Sequence, residues 1–214
     1  MKAVIVVIWF TLIGCQMLPA QSRNSIFMEE TPVTWLGIDF TGAIFYGDED
    51  KFPDDEAIHK FIESLNNLML AESAKYDIAK TFRKNKVTEA FYITASQNKR
   101  FEASALLGKS TDPPHKLSEN IVQEIVASYD FQGLSGLGLL FNVESFSKTT
   151  VSGVVWVTFV NMATKEVLLT ERLSNPPRGF GLRNYWAGCI YGILKQIQSN
   201  EFSSWQQKYY RNQQ

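Results

Sequence analysis

Six carboxylates crowd one short stretch, Asp48, Glu49, Asp50, Asp54, Asp55 and Glu56. Oxygen clusters of this kind can hold Ca²⁺, which takes about six to eight oxygen ligands. Lys51 and Phe52 interrupt the run, and it lacks the alternating acids and closing glutamate of a calcium loop. The expectation is a solvated turn entering a helix, since Pro53 and the acids suit a first turn with its free N–H groups and positive dipole end. His59 and His115 are the two histidines. They stand on different elements without HExxH or HxH spacing, which speaks against zinc. Ser135 lies in Gly133-Leu134-Ser135-Gly136-Leu137, yet a nucleophile elbow needs glycine where Leu137 stands. Gly133, Gly136 and Gly138 precede a strand instead of following one, so they mark a turn rather than a dinucleotide loop. No cofactor is implied.

Residues 176–186 concentrate chemistry of another kind: two prolines, two glycines, Arg178 and Arg183, and the aromatics Phe180, Tyr185 and Trp186. The segment joins a strand to a helix N-terminus, where backbone N–H groups can receive an anion or a partner carboxylate. Arg178, Phe180 and Arg183 are therefore candidate contact residues. The alternative is a shaped connection anchored by Phe180 and Trp186. In the tail, Phe202, Trp205 and Tyr209 recur at three- and four-residue spacing. This aromatic stripe either packs back on the sheet or meets a partner, and both kinds of surface collect aromatic residues. Cys189 falls on an apolar helix face and reads as a small buried hydrophobe.

The elements that must position these residues follow from periodicity. Residues 34–46 alternate and are rich in aromatic and β-branched types, predicting a strand broken near Gly42. Ile58, Phe61, Ile62, Leu65 and Met69 predict a helix. A brief helix around residues 76–82 ends in the basic run 83–86, and residues 87–95 predict a second strand. Residues 97–115 are polar, hold Pro113-Pro114 and read as a long loop. Ser118 caps a helix with Ile121, Val122, Ile125, Val126 and Tyr129 as its buried stripe and Leu117 as a staple. Residues 137–146, 151–160 and 166–173 predict an antiparallel three-strand meander. Asn184 caps a last core helix carrying Trp186, Cys189, Ile190, Ile193, Leu194 and Ile197. The class is mixed α/β (α+β): one domain, a central mixed sheet with helices packed on it.

The first residues give an address. A single Lys2 precedes an apolar run over residues 3–14, shorter than the roughly 20 residues of a membrane span and flanked by polar residues. Residues 1–22 read as an export signal, 23–32 as a polar tether, 33–199 as the domain and 200–214 as a short aromatic helix. Two exits from the signal are encoded. Leu12-Ile13-Gly14-Cys15 resembles the lipobox of bacterial lipoproteins, with Cys15 the lipidation site; Gln16 after it resembles cargo sent to the outer membrane. Cleavage after Ala20 would give a soluble product instead. Removing the signal leaves roughly 190 residues, the size of one ordinary domain. With 21 Lys/Arg against 22 Asp/Glu and only short basic runs, the chain lacks the phosphate-tracking stripe of a nucleic-acid binder. Cys189 alone remains after loss or acylation of Cys15, so no disulfide forms within the domain. Asn-x-Ser/Thr acceptors are absent, which fits a bacterial envelope.

Residues 154–173 (VVWVTFVNMATKEVLLTERL) form a strand, a turn ending in Thr-Lys and another strand before a helix. They resemble the closing hairpin of the envelope α/β domains of the curli-export lipoprotein and TolB amino-terminal type. With the strings WLGIDFTGA and RNYWAG and the signal, the mature chain is similar to uncharacterised exported proteins of the Bacteroidota. The resemblance implies a non-enzymatic envelope module that binds or scaffolds an envelope protein or polymer, with membrane association only through a lipid on Cys15. The competing expectation is a hydrolase of an envelope polymer, using Asp39 and Glu144 as opposed carboxylates about 5–9.5 Å apart.

Cys15→Ser separates the two exits. A lipoprotein should lose its membrane fraction and its acyl mass in this variant, as read by fractionation and intact-mass spectrometry. A mature N-terminus at Gln21 in the unaltered protein would rule the anchor out.

Overall fold

Eleven successive residues, Leu137–Ser147, are all buried, the pattern of a strand covered on both faces. The computed structural model describes residues 22–210; the export signal up to residue 21, with Cys15 and Ala20, and residues 211–214 of the expected tail helix lie outside them. The strands are β1 (Val33–Asp39), β2 (Ile44–Tyr46), β3 (Val87–Glu89), β4 (Leu107–Gly108), β5 (Leu137–Ser147), β6 (Ser152–Asn161) and β7 (Glu166–Asn175). The helices are α1 (Asp55–Ala71), α2 (Ile78–Thr81), α3 (Phe91–Gln97), α4 (Glu119–Ala127), α5 (Leu182–Gln196) and α6 (Phe202–Tyr210). Among the described residues, no helix is long and apolar enough to cross a membrane.

β5 is the spine of a mixed α/β domain. Along one side β1 and β2 lie end to end, both parallel to it; β3 extends β1 and β4 extends β2, again in parallel. Along the other side β6 and β7 follow antiparallel. The expected β5–β6–β7 meander is thus fused through β5 to a parallel half, and is not a free-standing unit. Side chains alternate across the sheet. Leu137, Leu139, Phe141 and Val143 join the large core under α1, α5 and α6, while Leu140, with Leu36 and Val160, joins a smaller core with Ile93 of α3 and Ile125 and Val126 of α4.

Several expectations are corrected. Residues 23–27 form a 3₁₀ turn, not a loose tether: Ile26 and Phe27 are buried, and the Phe27 and Phe202 rings lie 5.5 Å apart. In the basic run, Lys84 is buried, donates to the carbonyls of Ser25 (3.0 Å) and Met28 (2.6 Å), and has its pKa pulled down by burial to about 8. The long polar stretch contains a 3₁₀ turn, Ala103–Leu106, and the rung β4. Ile121 is exposed rather than part of the buried stripe. The helix cap assigned to Asn184 falls at Gly181. Asp48 leaves the solvated turn to accept from Trp186 Nε1 at 3.1 Å and pair with Lys148.

The expected strand over 87–95 stops at Glu89 and turns into α3. Beyond Trp35 the outer edge of β1 then lacks a neighbouring strand, and buried backbone groups need partners. Side chains supply them. Asn66 Oδ1 accepts from Ile38 N (2.8 Å) and its Nδ2 donates to Ile38 O (3.0 Å). Asn98 accepts from Phe40 N (2.9 Å) and also donates to Ile38 O (3.0 Å), while the Thr94 hydroxyl donates to Leu36 O. Asn66→Leu strands the Ile38 N–H and should lower unfolding free energy by about 1–3 kcal/mol in urea titrations.

Candidate functional site

β7 ends at Asn175, and Pro176-Pro177 turn the chain back across α5. Two glycines make room for it. A Cβ on Gly188 would sit 1.9 Å from Arg178 O, and one on Gly192 1.9 Å from Asn175 Oδ1. Arg178 N donates to Tyr185 O at 3.1 Å, fastening the connection to the helix. Gly179 and Gly181 have φ of 130° and 78°, a region that disfavours side chains. This ledge presents Phe180 at 95% exposure between the exposed Arg178 and Arg183.

Beside the ledge, α5, the π turn Ile197–Glu201 and the connection that follows α1 line an open cleft of about 930 Å³. Its walls carry Lys75, Arg178, Arg183 and Lys195 against one acid, Glu72. Glu72 already accepts from Lys75 Nζ at 2.9 Å, and this bond raises the Lys75 pKa. The Tyr191 ring has Lys195 Nζ 5.2 Å and Lys75 Nζ 5.9 Å from its centroid. In a chain of net charge −1, the cleft is a local cationic surface, and anions are what such a concave field concentrates.

The structure thus brings Arg178, Phe180 and Arg183 together, and leaves Phe180 outside the core where the sequence offered it as an anchor. Trp186 is buried as expected, stacked on Phe146 at 4.4 Å. The tail residues lie elsewhere: Phe202 and Trp205 are sealed in the core, so they present no contact surface. Tyr209 is half-buried and its hydroxyl donates to Glu171 Oε1 at 2.6 Å. Lys75, Tyr191 and Lys195 were not singled out by sequence reasoning. The Gly188/Gly192 pair, four residues apart on one helix face, was the signal that something passes close to α5. Cys189 is buried, donates to Asn175 O (3.2 Å), and has its thiol pushed by burial up to about 12.

Asp39 and Glu144 occupy different surroundings. Asp39 is fully buried and accepts from Thr41 N (3.0 Å), Thr41 Oγ1 (2.6 Å) and Asn142 Nδ2 (2.8 Å); burial outweighs these bonds and raises its pKa. Glu144 accepts from Leu117 N (3.2 Å), Trp156 Nε1 (2.9 Å) and Arg172 Nε and Nη2 (3.0 and 2.6 Å). Burial pushes its pKa up, but the Arg172 and Trp156 bonds prevail and the net shift is downward. Glu144 and Arg172 line a smaller cavity of about 210 Å³ with Tyr46 and His115. His115 is held by its ring Nε2 against Gly42 O, 2.9 Å away, and by its backbone N–H donating to the Tyr46 hydroxyl, also at 2.9 Å.

No family profile and no curated protein matches the chain, so the likeness to exported Bacteroidota proteins finds no support there. Among solved structures, lipoprotein GNA1162 from Neisseria meningitidis is 12% identical, with 79% of this chain aligned to 98% of that one at a TM-score of 0.32. That likeness is too loose to carry function.

The two carboxylates should act on stability with opposite sign. Glu144, depressed, contributes stability above the ordinary carboxylate range that is lost as pH falls through its folded value. Asp39, raised, contributes below that range and loses its contribution as pH rises through its folded value. Glu144→Ala leaves the Leu117 N–H and Trp156 Nε1 without their acceptor and should cost about 1–3 kcal/mol at neutral pH and less in acid. Asp39→Asn sets an amide donor against the Thr41 N–H or Asn142 Nδ2 and should remove the part of the pH dependence that Asp39 supplies. Denaturant titrations across pH check both.

Proposed function

We propose that this protein is a non-enzymatic binding module of the bacterial cell envelope, exported by residues 1–22 and held to a membrane if Cys15 is lipidated. Its docking surface is the ledge of Arg178, Phe180 and Arg183 beside the cationic cleft. The observation that carries the reading is Phe180, 95% exposed on a connection fixed by close glycine packing and a backbone hydrogen bond. A phenyl ring left in water contributes nothing to folding, whereas aromatic and arginine side chains on a rigid support dominate binding energy at protein interfaces. The non-enzymatic half of the proposal draws support from Asp39 and Glu144, whose carboxylates are each committed to neighbours within the fold.

Phe180→Ala with Arg183→Ala tests the surface. Both side chains are exposed, so the melting midpoint should stay unchanged. Used as bait on envelope extract, the unaltered mature protein should retain a crosslinked partner that the double variant loses. Equal recovery by both baits would remove the ledge from the account. Release of soluble fragments from an envelope polymer by the purified protein would overturn the non-enzymatic reading.

A further inference from the structure

We infer that the cleft along α5 receives an acidic polypeptide segment of the partner in extended form, with its carboxylates on the cleft cations and an apolar side chain on Phe180. This rests on the binding-module reading and adds the chemistry of what is bound. Arg178 and Arg183 come from the ledge and first turn of α5, Lys195 from its last turn, and Lys75 from beyond the end of α1. Arg178, Arg183 and Lys195 thus stand along the ledge and α5 with no ion pair to a carboxylate among the described residues, while Lys75 is paired with Glu72. An extended chain places alternate side chains on opposite sides, rising about 3.3 Å per residue, so acids at every second position share one side and can meet the cations spaced along the ledge and α5.

A second feature selects polypeptide over other polyanions. Gln196 lines the cleft, and its Oε1 is shielded from solvent without a hydrogen-bond donor among the described residues. Once the Gln196 amide turns toward the cleft, a peptide backbone N–H can reach that acceptor beside its carboxylates, which a lipid phosphate does not offer. A bilayer can take up the projecting Phe180, but its flat surface does not follow the concave cleft beside it. An anionic glycan would call for an open aromatic platform within the cleft. The Tyr191 ring is flanked by Lys75 and Lys195 instead, and Phe180 stands out from the ledge.

The test uses the full mature protein and a labelled peptide of alternating glutamate and leucine, followed by fluorescence anisotropy. The matched probes are the glutamine–leucine peptide, polygalacturonate, and phosphatidylglycerol–phosphatidylcholine vesicles. The glutamate peptide should bind at least about tenfold more tightly than the glutamine peptide, with affinity falling as salt rises. Arg178→Ala with Arg183→Ala should weaken it about ten- to a hundredfold. Gln196→Leu should weaken it several-fold while leaving the salt dependence unchanged; thermal melts check that each variant is folded.

No preference for glutamate, or tighter binding of polygalacturonate or vesicles, overturns the inference. If the bait experiment still finds a partner dependent on Phe180 and Arg183 while the glutamate peptide fails, the peptide assignment falls and the binding module stands. If the ledge variant loses no partner, the parent reading falls first.

Discussion

A buried carboxylate at the middle of β5 fixes how the sheet is assembled. Glu144 is the extra residue where β5 slips against β6, between the pairs Val143–Val155 and Ser145–Val154. At the same level the parallel neighbour of β5 changes from β1 to β2. A charge in this position is tolerable only when fully engaged, and Glu144 takes its bonds from Leu117 before α4, Trp156 on β6 and Arg172 on β7. One side chain thereby sets the spacing of four segments. Two residues further on, Phe146 stacks on Trp186, whose indole reaches Asp48. The bulge, the stack and the Asp48 bond together set where α5 begins, and so where the ledge stands.

The same economy of side chains for backbone recurs at the edges of the sheet. Asn66, Thr94 and Asn98 complete β1 where β3 has ended. Along β7, Gln123 accepts from Val167 N (2.9 Å), and Arg23 Nε donates to Leu168 O (2.7 Å). Unsatisfied edges invite pairing with other chains; these polar side chains close both edges in part. Charge and an exposed ring are concentrated instead on the connection over α5.

Much of this architecture was legible in the sequence because it rests on periodicity. The meander strands, α1 with Asp54 before it, α4 behind Ser118 and the buried face of α5 all follow from residue type and spacing. The failures share a different cause. Residues 87–95 alternate like a strand, but pairing with β1 stops at Glu89, and Phe91–Gln97 bury Ile93, Thr94 and Gln97 at helical spacing instead. Ile26, Phe27 and Lys84 are decided by distant partners that no local window contains. At the site, Arg178, Phe180 and Arg183 were visible as an unusual composition. Lys75, Tyr191 and Lys195 join them only through the packing of α1 and α2 beside α5, a tertiary fact.

The 3₁₀ turn at Arg23–Phe27 finds its partners at the far end of the chain. Arg23 lies 4.9 Å over the Tyr209 ring, and Phe27 packs on Phe202. The first of these segments to leave a ribosome therefore waits for the last before either is satisfied. Closing so long a loop is slow relative to local contacts, so the domain is sealed only after residues 202–209 have been made. A chain threaded through a membrane pore end-first would keep that clasp open for the whole passage.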